Sequence, residues 1–152
     1  MKILMVCLGN ICRSPLAHGI LREVANKKNL KWEVESAGTG DWHIGNPPDH
    51  RSIAIAKKYG LDISSQRAQQ FNKDFFEEYD HIFVMDRQNY EDVMALAEEE
   101  GHKAKVKLFL EMDEVPDPYT DDALFEPVYQ MIAERCDLLI ERGLDYEPKE
   151  QL

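Results

Sequence analysis

Near the N-terminus the chain reads Ile3-Leu4-Met5-Val6-Cys7-Leu8-Gly9-Asn10-Ile11-Cys12-Arg13-Ser14-Pro15. The continuous apolar run at 3–6 is typical of a strand buried on both faces of a parallel sheet. Pro15 fits the first turn of a helix, because its missing N–H would have no partner there anyway. The segment between them is therefore predicted to be a loop with inward backbone amides at a helix N-terminus, which is a binding site for a tetrahedral oxyanion.

This loop carries both a nucleophile and an anion clamp. The fork of Arg13 can hold oxyanion oxygens in a bidentate manner, and an electropositive cradle lowers the pKa of a cysteine from about 8.5 to about 3.5–7.5. The Ser14 hydroxyl can donate to the sulfur, while Gly9 and Asn10 tolerate a tight backbone path. The pattern predicts that Cys7 attacks phosphorus and forms a cysteinyl-phosphate intermediate that water hydrolyses.

Composition narrows the class of protein. The chain has 152 residues, which suits one domain over 1–152, with 145–152 expected to be a loose tail. A net charge of −11 argues against nucleic-acid partners and against anionic membranes. The three cysteines do not form a disulfide framework, and the N-terminal apolar run is too short for a signal peptide or a membrane span. A cytoplasmic location is therefore expected.

Strands and helices alternate along the chain. Strands are predicted at 2–6, 32–36, 81–85 and 105–108, and helices at 15–28, 52–59, 72–79, 86–100 and 124–142. This order predicts an α/β fold with a parallel sheet covered on both faces. Ligands of such sheets bind at the carboxyl ends of the strands, where the Cys7 loop lies.

The leaving group of a phosphate ester needs a proton, and a carboxylic acid on a loop can supply it. Asp117, between Pro116 and Pro118, is one candidate. The same acidic loop contains three competing carboxylates, and spacing does not choose among them: Asp113, Asp121 and Asp122.

Residues 6–15, together with Asp117-Pro118-Tyr119, resemble the low-molecular-weight protein tyrosine phosphatase family. Ser36-Ala37-Gly38-Thr39 and Met85-Asp86 are also similar to that family. The likeness extends over about residues 2–142. It implies a single-domain, Rossmann-like fold with a four-stranded parallel sheet and helices on both faces.

The resemblance implies that the catalytic residues are Cys7, Arg13 and Asp117, that Asn10 and Ser14 support the loop, and that no metal or other cofactor is used. Trp42 and Tyr119 are expected to sandwich a phenyl ring, although Trp42 could instead pack on its own segment. The predicted substrate-binding residues are Leu8, Gly9, Asn10, Ile11, Cys12, Arg13, Ser14, Trp42, His43 and Tyr119. The expected partners are tyrosine-phosphorylated proteins, with inorganic phosphate or vanadate as inhibitors. The oligomeric state stays open.

Three positions depart from the family pattern. Gln66 stands where many relatives carry a histidine that orients the phosphate loop, and Gln69 stands where they carry an arginine. Thr120 follows Tyr119 where eukaryotic relatives often have a second tyrosine.

Other functions share this loop. A thiol-dependent arsenate reductase needs further cysteines, and only Cys136 lies outside the loop. A phosphoarginine phosphatase tends to have threonine where Ile11 stands. A phosphotyrosine-binding or redox-sensing module without turnover is a third alternative. Cys12 is either a redox partner of Cys7 or a residue that only fills space.

Overall fold

The central sheet of the computed structural model consists of four parallel strands. They are β1 (Lys2–Cys7), β2 (Glu33–Gly38), β3 (His81–Val84) and β4 (Val106–Leu108), hydrogen-bonded in the order β2-β1-β3-β4. The structure describes residues 1–110 and 112–144, so the expected loose tail at 145–152 lies outside the described residues. The predicted α/β fold with a four-stranded parallel sheet is confirmed.

Six helices accompany the sheet in the described part of the chain: α1 (Arg13–Lys27), α2 (His50–Lys58), α3 (Phe75–Glu78), α4 (Arg87–Met94), α5 (Glu100–Lys103) and α6 (Phe125–Arg142). A single 3-10 turn, Asp122–Leu124, leads into α6. Among the described residues, no helix is both long and apolar enough to span a bilayer.

Strand β1 is apolar throughout because it is covered on both faces. Ile3 and Met5 pack with buried residues of α1, α2 and α6, while Leu4 and Val6 pack with those of α3 and α4 on the other face. All four side chains are fully buried. Each such burial contributes about 1.5–3 kcal/mol relative to exposure, so the run 3–6 fixes this strand in the centre of the sheet.

Two helix predictions were wrong in extent. The segment 86–100 forms two helices, because α4 ends at Met94 and α5 begins at Glu100. The acidic residues Glu99 and Glu100 therefore occupy the N-terminus of α5, where the helix dipole favours them. The predicted helix 72–79 begins only at Phe75, because Asn72 Oδ1 accepts the N–H of Asp74 in a turn before it.

The strand order determines where a ligand crevice opens in the sheet. Helix α1 follows β1 on one face and α4 follows β3 on the other, so the chain leaves these neighbouring strands in opposite directions. A crevice opens at the carboxyl ends of two such strands. Cys7 is the last residue of β1, and Asp86 follows the end of β3.

Candidate active site

The loop between β1 and α1 is held by Asn10. Its φ of 56° lies in the left-handed region, which asparagine tolerates better than most residues. Its side chain then reaches under the loop, where Nδ2 donates to Ser14 Oγ (2.8 Å) and Oδ1 accepts the N–H of Gln69 (3.0 Å). The backbone turn and the side-chain brace support each other.

The sulfur of Cys7 is surrounded by donors. The N–H of Asn10 points to Sγ at 3.3 Å, and Ser14 Oγ lies 3.0 Å from it. Because Ser14 Oγ already accepts from Asn10, its own proton is left to donate, and the sulfur is nearer than the Ala37 carbonyl at 3.5 Å. Two donors are therefore directed at the sulfur.

Arg13 is buried beside the sulfur and is fixed from the sheet side. Its Nη1 donates to Asp86 Oδ2 (2.7 Å) and to the carbonyl of Val115 (2.9 Å). Burial opposes the charge of this guanidinium, but Cys7, Asp86 and Asp117 together hold its pKa above the usual value. Arg13 therefore stays charged with its fork oriented for an anion.

From the sequence, Asp86 is expected only to cap the helix at 86–100 and to belong to the Met85-Asp86 pair that resembles the family, whereas in the structure it also belongs to the site. One carboxylate oxygen holds Arg13, and the other accepts the N–H of Asn89 and caps α4. A carboxylate two residues after the end of β3 was the signal that could have indicated it, because β3 lies next to β1.

Among the four competing carboxylates, only Asp117 lines the pocket. Its Oδ1 accepts the N–H of Tyr119 (3.1 Å), and its Oδ2 lies 3.8 Å from Arg13 Nη2. The other three form contacts outside the pocket. Asp113 accepts the N–H of Glu114, and Asp121 accepts the N–H of Ala123. Asp122 accepts a hydrogen bond from the Arg51 guanidinium.

The pocket above Cys7 has a volume of about 150 Å³ and opens to solvent. It brings together most of the predicted substrate-binding residues, and its lining consists of Cys7, Leu8, Gly9, Ile11, Cys12, Arg13, Trp42, His43, Asp117 and Tyr119. Asn10 and Ser14 do not line it, because both are buried beneath the loop. Trp42 lines the pocket and also packs on its own segment, where its ring lies directly over Gly40.

A sequence model of the family described as "Low molecular weight phosphotyrosine protein phosphatase" matches residues 2–149. The chain belongs to this family. A Homo sapiens protein of the same name is 37% identical over 151 residues, covering 93% of this chain and 95% of that protein.

Solved structures of relatives agree with this low-molecular-weight phosphatase fold. A product-state mimic of a protein tyrosine phosphatase from Entamoeba histolytica has a TM-score of 0.88 at 32% identity and covers 99% of each chain. Vibrio vulnificus Wzb in complex with benzylphosphonate has a TM-score of 0.84 at 30% identity, covering 93% of this chain and 97% of that one.

The two glutamines that depart from the family pattern both form side-chain hydrogen bonds in this phosphatase. Gln69 Nε2 donates to the Ser36 carbonyl (2.9 Å), and Gln66 Nε2 donates to the Pro15 carbonyl in the first turn of α1 (3.1 Å). Asn10 is braced by the backbone N–H of Gln69. This brace does not depend on a histidine or arginine side chain.

Cys12 differs from Cys7 in its surroundings. Burial, and then the negative charge of Asp49, raise the pKa of the Cys12 thiol to about 12. Cys12 is therefore a protonated thiol at neutral pH. Both loop cysteines are free in this structure, and a regulatory disulfide between them stays a prediction.

Gly38, at the end of β2, packs against the backbone of the loop between β1 and α1. A Cβ there would lie 2.8 Å from the Leu8 carbonyl oxygen and 3.0 Å from the Asn10 nitrogen, and these backbone atoms cannot swing away. We expect Gly38→Ala to displace the loop and weaken inhibition by inorganic phosphate by about tenfold, since misplacing catalytic groups is costly. Gly101→Ala is the control, because nothing lies within 4 Å of its Cβ position. Equal inhibition constants for the two variants would contradict this.

His18 makes stability depend on pH. It is buried on α1 with Nδ1 3.0 Å from Ser36 Oγ, and burial, followed by the charge of Arg22, lowers its pKa from 6.5 to about 3. Glu35 lies 3.8 Å from Nε2, but this half-exposed carboxylate also pairs with Arg22, so burial dominates.

The folded protein resists protonation of His18, and the unfolded chain does not. The contribution of neutral His18 to the free energy of unfolding is therefore fully present above pH 6.5 and is lost as the pH drops toward 3. Between pH 7 and pH 4 we expect the free energy of unfolding to fall by about 2–3 kcal/mol more in the wild type than in His18→Asn. Urea unfolding at both pH values measures this. Parallel pH dependence in the two proteins would refute it.

Proposed function

We propose that this phosphatase hydrolyses phosphotyrosine in proteins with Cys7 as nucleophile, Arg13 as phosphate clamp and Asp117 as general acid and base. The observation that carries the proposal is the sulfur of Cys7 at the pocket floor, with donors on one side and Arg13 and Asp117 on the other. Residues 1–152 would act as one domain.

The reaction follows from these positions. The Cys7 thiolate attacks phosphorus while Arg13 holds the non-bridging oxygens, and the bond from phosphorus to the phenolic oxygen breaks. The leaving oxygen takes a proton from the Asp117 carboxyl. The resulting Asp117 carboxylate then removes a proton from water, whose oxygen attacks phosphorus, breaks the bond to sulfur and regenerates the thiolate.

The pocket walls favour an aryl substrate. Trp42 and Tyr119 flank the entrance, so a phenyl ring can pack between them and bring its phosphate to the floor. A serine phosphate lacks the length to reach the floor. The benzylphosphonate complex of Vibrio vulnificus Wzb supports this reading, because that ligand joins a phenyl ring to a phosphonate.

The alternatives fit less well. Arsenate reduction needs a further accessible cysteine, whereas Cys136 is fully buried in the core. A non-catalytic binding module would not need Asp117 beside Arg13. Ile11 lines the pocket where the phosphoarginine branch tends to have threonine, and an apolar side chain suits an aryl ring. A cytoplasmic location and inhibition by phosphate or vanadate belong to this proposal.

Three peptides of one sequence test the function. They carry phosphotyrosine, phosphoserine or phosphoarginine at the same position, and phosphate release is measured with and without vanadate. We expect rapid, vanadate-sensitive release from the phosphotyrosine peptide and at least about 10²-fold lower kcat/KM for the others. Preferred hydrolysis of either other peptide, or no release from any of them, would overturn the proposal.

A further inference from the structure

Arg51 is fixed to the phosphate-loop side of the pocket. It is the second residue of α2, and its Nε and Nη2 donate to the two oxygens of Asp49 at 3.0 and 2.9 Å. Asp49 caps the same helix, and its own N–H donates to the Ile11 carbonyl of the phosphate loop at 2.8 Å. The guanidinium therefore has one rigid attachment to the loop that surrounds Cys7.

The same guanidinium contacts the opposite side of the pocket. Its Nη1 donates to Asp122 Oδ1 at 2.6 Å. The guanidinium carbon also lies 5.4 Å from the centroid of the Tyr119 ring and 4.7 Å from that of Phe125, within the range of cation–π contacts. Arg51 thus binds the segment that carries Asp117, five residues before Asp122.

Tyr119 links this contact to the general acid. The N–H of Tyr119 donates to Asp117 Oδ1, so the backbone of the tyrosine sets the orientation of that carboxyl group. Asp117 and Tyr119 are both about half exposed on their loop. Solvent alone does not fix such a loop, so its attachment to α2 acts together with the Arg13 contacts to hold the carboxyl group above Cys7.

We propose that Arg51 is a positioning residue that ties the Asp117–Tyr119 segment to the phosphate loop and so sets the height of the acid above the sulfur. The proposal rests on the proposed function. Arg51 does not line the pocket, so it acts through Asp117 and Tyr119. This role needs an arginine, because a lysine ammonium cannot bind both oxygens of Asp49, donate to Asp122 and cover the Tyr119 ring at the same time.

The decisive readout is dependence on the leaving group. We expect Arg51→Ala to lower kcat/KM, which reports the steps up to departure of the phenol, by about 10-fold or more for phenyl phosphate, whose phenol is a poor leaving group, and by only about 2- to 3-fold for p-nitrophenyl phosphate. Inhibition by vanadate should stay within about 2-fold of the wild type, because the donors around Cys7 and Arg13 are intact. Arg51→Lys should restore little. Arg22→Ala, which removes a half-exposed arginine on α1, is the matched control.

A double mutant tests whether Arg51 acts through Asp117. If Arg51 acts through Asp117, then Arg51→Ala should lower kcat/KM for phenyl phosphate much less in an Asp117→Asn background than in the wild type. Equal losses in both backgrounds, equal losses for both substrates, or full recovery in Arg51→Lys would overturn the inference. A wild-type protein that hydrolyses neither aryl phosphate would instead reject the proposed function itself.

Discussion

Cys7→Ser should lower kcat toward p-nitrophenyl phosphate by at least about 10⁴-fold, because the nucleophile of the covalent step is lost. A serine hydroxyl stays protonated at neutral pH, and the groups that contact this position, the Asn10 N–H and the Ser14 hydroxyl, are arranged as donors rather than bases. Steady-state kinetics measures the loss. Calorimetric measurement of vanadate or phosphate binding by the variant shows whether the anion-binding loop persists.

Cys12→Ser is the matched control, since it makes the same substitution five residues further along the same loop. The Cys12 thiol is protonated at neutral pH and does not act as nucleophile. We therefore expect the kcat of Cys12→Ser to stay within about tenfold of the wild type. Iodoacetamide at neutral pH should label Cys7 first, and phosphate should protect it. A Cys7→Ser variant that retains activity, or a Cys12→Ser variant that is equally inactive, would contradict the assignment.

Asp117→Asn should lower kcat for phenyl phosphate by about 10²–10³-fold, in the range of general acid–base catalysis. The amide keeps the size of the side chain and the acceptor for the Tyr119 N–H, but it has no proton to give to the leaving oxygen. The loss should shrink as the leaving group improves. A series of substituted phenyl phosphates therefore gives a steeper dependence of kcat/KM on leaving-group pKa in the variant, because kcat/KM reports the steps up to departure of the phenol.

Asp113→Asn and Asp121→Asn control for the other acids of the loop. Both carboxylates accept backbone N–H groups outside the pocket, so each variant should keep kcat within about 3-fold of the wild type, as surface substitutions usually do. A uniform loss of kcat/KM in Asp117→Asn across all leaving groups would contradict its role as general acid. A leaving-group-dependent loss in either control would move the acid to that residue.

The chemistry of the phosphate loop could be predicted because its parts are close in sequence. The strand, the cysteine, the left-handed Asn10 and the start of α1 lie within the first fifteen residues, and the contacts among Cys7, Asn10 and Ser14 span at most seven positions. Local spacing also set the four strands. It did not set the end of α4, which stops at Met94, or the separate start of α5 at Glu100.

The sequence by itself determined the parallel α/β sheet, the anion-binding loop and the pairing of Cys7 with Arg13, since apolar periodicity and short-range hydrogen bonding encode them. Residue spacing left four carboxylates open and the family resemblance favoured Asp117, but only the tertiary structure shows that Asp117 faces Arg13 and that Asp86 and Arg51 bind the two sides of the site. Arg13 and Asp86 are 73 positions apart, and Arg51 and Asp122 are 71 apart. Contacts over such separations arise only when the sheet brings distant strand ends together, and no local pattern records them.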